Sequence, residues 1–482
     1  MEKKNYIAAI DLGSSSVTIA VGTVDTEGRL EIADIVSRPT DGVTRGEITN
    51  RQQVAASIKE VIEEIEHRLS IRIADVYTGV SGRHIKCSNH DYFVFVGERS
   101  DGEIRKEDVL ALHDGMNNVQ AEDGIKILDR IPQNYIVDGR DEVKDPVGRF
   151  GKKLESTFCF ILGSSTPIDR LEKTLLGLGI KPLRTFANAL ASAEAVTLPE
   201  EKEIGAAVID LGAGTTDLTI YYDNVVRFVR GIPFGAGDIN HDIHQQGILD
   251  RHVENLKTQF GCAVADEIVT DKLIGMPGRT PRDRQEISQK NLAIIIENRL
   301  KDIIRFVQEE IADSGYAGRL AAGIVLTGGC SQLQGIDELF RRETGMEVRL
   351  ATPDLRVTEA SKEIASKPEY ATAIGMLLQA MASGKFNRVE KISTIAGNRF
   401  APRPQPTPVH EPARPVHVPE PENEPTPEEN DPTETNDDEE EITKGKEHKE
   451  HRKGKGLDWW NRVKNKLDET FFPETLEGDE DF

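Results

Sequence analysis

Cysteine and long apolar stretches are scarce in this chain of 482 residues, and each shortage excludes something. The four cysteines, Cys87, Cys159, Cys262 and Cys330, are scattered and form no Cys-x-x-Cys pair. That spacing argues against a zinc site and against a disulfide framework. No apolar run is long enough to span a bilayer. Met-Glu-Lys-Lys leads directly into a strand-like segment without a secretory signal, so a soluble, cytosolic body is expected. Positive charge is also short: 60 Lys and Arg stand against 83 Asp and Glu, a net charge of −23. With no broad basic surface, nucleic acid is not an expected partner. The length predicts two domains or more.

Against these absences stands one turn that occurs twice. Asp11-Leu12-Gly13-Ser14-Ser15-Ser16 follows the apolar run 6–10, and Asp210-Leu211-Gly212-Ala213-Gly214-Thr215-Thr216-Asp217 follows the run 206–209. Alternation resumes after each, at 17–24 and at 218–222, so each copy reads as strand, turn, strand. Small residues let backbone N–H groups approach an anion, and a carboxylate at the strand end orders a cation and its waters. Two such hairpins facing each other would hold a Mg-polyphosphate between two halves of the molecule. A third turn, Leu326-Thr327-Gly328-Gly329-Cys330-Ser331, also follows an apolar run, and residues 334–341 after it look helical. Between the second and third turns, Glu254 and Lys257 share one helix face at i, i+3. Alone, such a pair is ordinarily a solvated surface pair, and Cys330 reads as a small buried thiol.

Up to about residue 385 the chain alternates β-rich runs with amphipathic helices, an α/β pattern with helices covering sheet faces. Asn50 is placed to cap a helix, with Gln53 completing a capping box and Val54, Ile58, Val61, Ile65 and Leu69 on its inner face. Thr166-Pro167 opens another, with Leu171 and Leu175 inward and Gly179 as C-cap. Ser288 starts a long helix through Leu292, Ile296, Leu300, Ile303, Val307 and Ile311.

The tail is different in kind. Residues from 387 to 442 are rich in Pro, Glu and Asp, which predicts a disordered linker, taken to span 387–456 and ending in a polybasic run from Lys444 to Lys455. Residues 457–482 then read as an amphipathic helix with an acidic end. Leu457, Trp460, Val463, Leu467 and Phe471 make one stripe, with Trp459 beside it and Arg462, Lys464 and Lys466 flanking. Paired tryptophans on a short cationic helix suit a bilayer interface, with a protein-docking helix as the competing reading.

The order of the three turns and the Glu/Lys helix resembles the actin/hexokinase/heat-shock-chaperone ATPase superfamily. Two helices fit as its hinge connectors, Asn188-Ala189-Leu190-Ala191-Ser192-Ala193 and Glu369-Tyr370-Ala371-Thr372-Ala373-Ile374-Gly375. Within that superfamily, the segment with Asp129-Arg130-Ile131-Pro132-Gln133-Asn134-Tyr135 and Asp145-Pro146-Val147-Gly148 resembles the FtsA family of bacterial cell-division proteins. Val80-Ser81-Gly82 and Phe186-Ala187-Asn188 agree with it.

The resemblance implies a two-domain actin-like fold with the FtsA-type subdomain 1C. Subdomain 1A would comprise 1–82, 164–198 and 356–386, and 1C 83–163. Subdomain 2A would comprise 199–236 and 293–355, and 2B 237–292. It implies ATP and Mg²⁺ as cofactors, with Asp11 and Asp210 acting on the metal. Gly13, Ser14, Ser15 and Ser16, with Gly212, Ala213, Gly214, Thr215 and Thr216, would hold the phosphates. Glu254, Lys257, Gly328 and Gly329 would face the nucleoside. Asp210 and Asn188 would attend the attacking water, but the amide at 188 and the serines in place of a lysine in the first turn imply slow or negligible hydrolysis. The implied partners are the FtsZ C-terminal tail, other division proteins, further copies in a filament, and the cytoplasmic face of the membrane through Trp459, Trp460 and the rest of the C-terminal helix. Arg299 lies near where the FtsZ tail would bind. The alternatives are an enzyme or chaperone ATPase of the same fold and a PilM-like pilus-assembly scaffold.

Overall fold

Two five-stranded arrangements with one topology organise the computed structural model, which describes residues 6–96, 102–280, 283–384 and 389–391. The first sheet runs, edge to edge, Lys181–Ala187, Asp75–Val80, Tyr6–Leu12, Ser16–Val24 and Leu30–Pro39. The second repeats it with Val348–Leu350, Gly323–Thr327, Ala206–Leu211, Thr216–Tyr222 and Val225–Ile232. In each, an antiparallel meander of three strands is extended by two parallel strands, the nearer pairing with the first strand of the meander and the outer with the nearer. The repeat places the two glycine turns at equivalent points, between Leu12 and Val17 and between Leu211 and Thr216.

Strand interiors are nearly continuous apolar runs, as sheets covered on both faces require. Ile7, Ile10, Ile19 and Val21 are fully buried in the first sheet, as are Ile209, Leu218, Ile220, Val325 and Leu326 in the second. The two halves meet along the helices Asn188–Val196 and Ala371–Ala382. These cross so closely that a Cβ on Gly375 would overlap the Ala191 carbonyl and lie 3.0 Å from Ala191 Cα. The small residues at this crossing therefore set the distance between the halves.

The segment that narrowed the family forms a unit with its own core. Strands Lys86–Phe95, Lys153–Ser164, Ile125–Val137 and Asp141–Val143 are covered by the helix Lys106–Asn117, burying Leu112, Met116, Leu154, Phe158 and Phe160. It joins the second sheet through a single register pair, Arg230 with Lys86.

Most helix signals are found where the periodicity placed them. Asn50 caps Arg51–Leu69 by accepting from the Gln52 and Gln53 N–H groups, at 3.1 and 3.3 Å. Leu69, at the helix end, is only partly covered. Ser288 caps Gln289–Asp313, and all six predicted inward residues of that helix are buried. Four details differ, the first being that the Asn50 N–H donates to Gly42 O at 3.0 Å, so Gln53 completes no capping box. The helix Ser165–Gly177 is capped by Leu178, and Gly179 takes the left-handed conformation one residue later. The helix after the third turn is Ile336–Thr344, because Gly335 at φ 75° holds the chain out of helix until then. Val389–Lys391 is a strand paired with the edge of Ile71–Ile73, so the ordered body reaches past residue 386. The rest of the expected linker and the expected membrane helix, with Trp459, Trp460, Arg462, Val463, Lys464, Lys466, Leu467 and Phe471, lie outside the described residues. No helix among the described residues is long and apolar enough to cross a membrane.

Candidate functional site

The two glycine turns close in the same way. Gly13 N–H donates to Ser16 O at 2.9 Å, and Gly212 N–H donates to Thr215 O at 3.0 Å. In the second turn the carbonyls of Gly212 and Ala213 accept from the Ala236 and Gly237 N–H groups at the start of the helix Ala236–Gln245. The N–H groups of Ser14, Ser15, Ala213 and Gly214 have no protein acceptor among the described residues. Unpaired backbone donors clustered at a turn form an anion nest. The turns also touch: a Cβ on Gly214 would stand 2.7 Å from Ser14 Cβ.

They bound a cleft of about 1210 Å³. Of the residues predicted to line it, Asp11, Gly13 to Ser16, Asn188, Asp210, Gly212 to Thr215, Glu254, Lys257, Gly328 and Gly329 do so. Thr216 does not; it is fully buried in its strand, and its hydroxyl donates to Phe234 O at 2.8 Å. Lys257 donates to Glu254 at 2.7 Å, and Asn240 Nδ2 donates to the same oxygen at 2.7 Å, so this wall is a small polar network. Gly328 opens the third turn at φ 90°, and Ser331 Oγ donates back to its carbonyl at 2.7 Å.

Three carboxylates stand at the base of the hairpins. Burial first, then the neighbouring Asp210 charge, push the Asp11 carboxyl up to about 7, against which the Asn188 amide works by donating to Asp11 Oδ1 at 3.3 Å. Burial likewise raises Asp210, offset by hydroxyls including Thr372, whose Oγ1 donates to it at 2.9 Å. Asp217 is pushed well above the ordinary range by burial and by the Asp210 and Asp11 charges, although Ser81 Oγ donates to it at 2.7 Å. Ser81 also lies 2.9 Å from Thr215 Oγ1, tying the strand end at Val80 to the second turn. No group of three or more His, Cys, Asp or Glu among the described residues is arranged to hold a metal unaided. Mg²⁺ needs no such cage, since it keeps several waters and takes one or two carboxylates plus substrate phosphates. Asp11 and Asp210, clustered and short of positive charge, fit that demand.

Acidic groups with raised values hold protons in the folded state that the unfolded chain has already released. The contribution of these groups to the stability of the nucleotide-free protein is therefore fully present at low pH and is lost as pH rises from about 4 through the Asp11 value of about 7. The urea midpoint is expected to drop between pH 5 and pH 8, and Asp11→Asn should flatten that drop. A midpoint that rises over the range in wild type and variant alike would contradict the assignment.

Sequence reasoning quoted Ser81, Asp217 and Thr372 without giving them roles at the site, and missed Arg45. Arg45 sits in Thr44-Arg45-Gly46-Glu47, whose only local signal is a glycine in a two-residue hairpin turn.

Comparison with known proteins follows the same lines. The family "Cell division protein FtsA" matches residues 207–375, and "SHS2 domain inserted in FTSA" matches residues 82–162. The cell-division protein FtsA of Neisseria meningitidis is 31% identical over 379 residues, 78% of this chain and 90% of that protein. The chain belongs to the FtsA family of cell-division proteins. FtsA of Borreliella burgdorferi is 30% identical over 81% of this chain and 94% of the relative, and that of Pseudomonas aeruginosa 29% over 79% and 90%. Among solved structures, a PilM–PilN type IV pilus biogenesis complex superposes with a TM-score of 0.53 at 17% identity, covering 78% of this chain and 98% of that one. At that identity the likeness shows a shared actin-like fold and nothing about pili.

Proposed function

We propose that this chain is an ATP-holding, actin-like scaffold that polymerises on the cytoplasmic membrane face at the division site and tethers FtsZ filaments there. The observation that carries the reading is the pair of equivalent anion-nest turns facing one cleft, with carboxylates at their base, in a chain of the FtsA family. Asp11 and Asp210 would engage Mg²⁺, which when bound screens the phosphate charge. Ser14 to Ser16 donate to the phosphates, and Gly212 to Thr215 cradle them. Glu254, Lys257 and the Gly328-Gly329 turn face the nucleoside.

Asn188 supports a holding role over rapid turnover. Its amide nitrogen is engaged with Asp11, and its Oδ1 is buried without a hydrogen-bond partner. An amide takes up no proton at neutral pH, so Asn188 cannot act as general base towards an attacking water. Phosphate release at tens per second without partners would count against this.

Subdomain 2B, residues 237–292, is the proposed seat of the FtsZ tail. In its favour are the apolar residues Phe260, Val269 and Leu273, which are exposed there, and Ile294 on the adjoining helix. Arg299, on the same helix, holds Asp242 through two bonds of 2.6 and 2.9 Å, so its charge is already engaged within the protein. The helix expected at residues 457–482 would supply the membrane contact. The test is sedimentation with anionic liposomes and Mg-ATP, with and without FtsZ. The full chain should pellet with lipid and bring FtsZ with it, and Trp459→Ala/Trp460→Ala should abolish both. Unchanged pelleting of the double variant rules out the anchor, and lipid pelleting that leaves FtsZ behind rules out the tether.

A further inference from the structure

The cleft poses a charge problem. Asp11, Asp210 and Asp217 stand where a polyphosphate would lie, and neither phosphate turn carries a lysine. A bound Mg²⁺ offsets only part of the negative charge a nucleoside triphosphate would add. Most cations lining the cleft are engaged elsewhere. Arg38 pairs with Glu64 at 2.6 Å, Lys257 with Glu254 at 2.7 Å, and Lys367 lies 3.8 Å from Glu369 beside the third turn.

Arg45 is placed differently. It is at the tip of the hairpin formed by Val43–Thr44 and Glu47–Ile48. Both tip residues have positive φ, 49° at Arg45 and 80° at Gly46, as a type I′ turn requires. Such turns favour Asn, Asp or Gly at the first position, and an arginine held in the left-handed region is a strained choice that invites a functional reason. The tip rests on both phosphate turns. Gly46 N–H donates to Ser14 Oγ at 3.0 Å, and Arg45 Cα stands 3.1 Å from where a Cβ on Gly214 would be. The side chain reaches across the cleft mouth to Asp238 Oδ1 at 3.2 Å, with its guanidinium 5.2 Å from the Phe234 ring centroid. It is 51% exposed, so its pair with Asp238 is screened by solvent and can part at small cost. Asp238 has a second partner in the Gly235 N–H at 3.0 Å and sits in the first turn of a helix, where its charge is favoured without Arg45.

We propose that Arg45 is the cation that binds the terminal phosphate of a nucleoside triphosphate, leaving Asp238 to do so and thereby distinguishing triphosphate from diphosphate. The proposal rests on the cleft being a nucleotide site. A guanidinium offers a planar fork of donors to phosphate oxygens, and charge-assisted hydrogen bonds of this kind are the strong ones. The diphosphate would leave the Arg45–Asp238 pair intact.

Equilibrium titration of the full chain with Mg-ATP and Mg-ADP separates the possibilities. Arg45→Asn is the diagnostic variant, because asparagine accepts the left-handed turn and removes the charge, and Arg45→Lys restores the charge without the fork. Arg45→Asn should weaken Mg-ATP about tenfold or more and Mg-ADP less than about twofold, with Arg45→Lys between. Equal loss for both nucleotides would reduce Arg45 to a latch between the halves and overturn the proposal, as would unchanged affinity for both. Failure of the wild-type chain to bind either nucleotide would instead overturn the nucleotide reading itself.

Discussion

Gly214→Val should weaken Mg-nucleotide binding about a hundredfold while the protein remains folded. The branched side chain would enter the seam where the two phosphate turns meet, with its Cβ 2.7 Å from Ser14 Cβ and 3.1 Å from Arg45 Cα. Neither neighbour is the free end of a flexible side chain, so the turns must part. Overpacking of this kind costs about 3 kcal/mol, close to two decades of affinity. Parting the turns at the cleft rim relieves the clash in the nucleotide-free protein without disturbing the apolar interiors of the sheets, so its thermal midpoint should change little and the cost falls on drawing the turns together around the nucleotide. Affinity within about threefold of wild type would show that the turns do not need to meet for binding.

Gly375→Val should act on the fold itself. On an exposed helix, replacing glycine with a residue of better helix propensity stabilises by up to about 1 kcal/mol. Here the added Cβ would overlap the Ala191 carbonyl, a backbone atom of a helix whose residues Asn188 to Ala193 are all buried. Relief requires the two helices to separate, which opens contacts made by Ile374, Leu377 and Leu378. The clash outweighs the propensity gain, for a net loss of about 3 kcal/mol or more. A fall in the urea midpoint, with nucleotide affinity reduced in parallel, is the expected result. An unchanged or raised midpoint would mean that the helices are not held at this distance in solution.

Both variants rest on close approaches between residues far apart in the chain, and that is where sequence reading ran out. The turns themselves were legible because each is a local pattern, an apolar strand ending in small residues, and its repeat made chance an unattractive account. The helices were legible for the same reason: Ser288 and the six inward residues behind it declare one face of a 3.6-residue period. Thr216 was misjudged because a motif is read as a string, and a string does not say which residue has already entered the strand. Arg45 left almost no mark, since its significance lies in what the hairpin tip touches.

The sequence alone determined the α/β class, the two equivalent turns, the main helices with their buried faces, and the resemblance to the FtsA family. These follow from local periodicity, capping and motif order, which need only neighbouring residues. Only the tertiary structure decided that the two sheets share one topology, that the Asp210 charge raises Asp11 and both raise Asp217, that Gly375 sets the distance between the halves, and that Arg45 stands over both phosphate turns. Each of these is a distance of a few ångströms between segments up to about two hundred residues apart. Burial and charge act over such distances in space, and no local pattern in the chain encodes them.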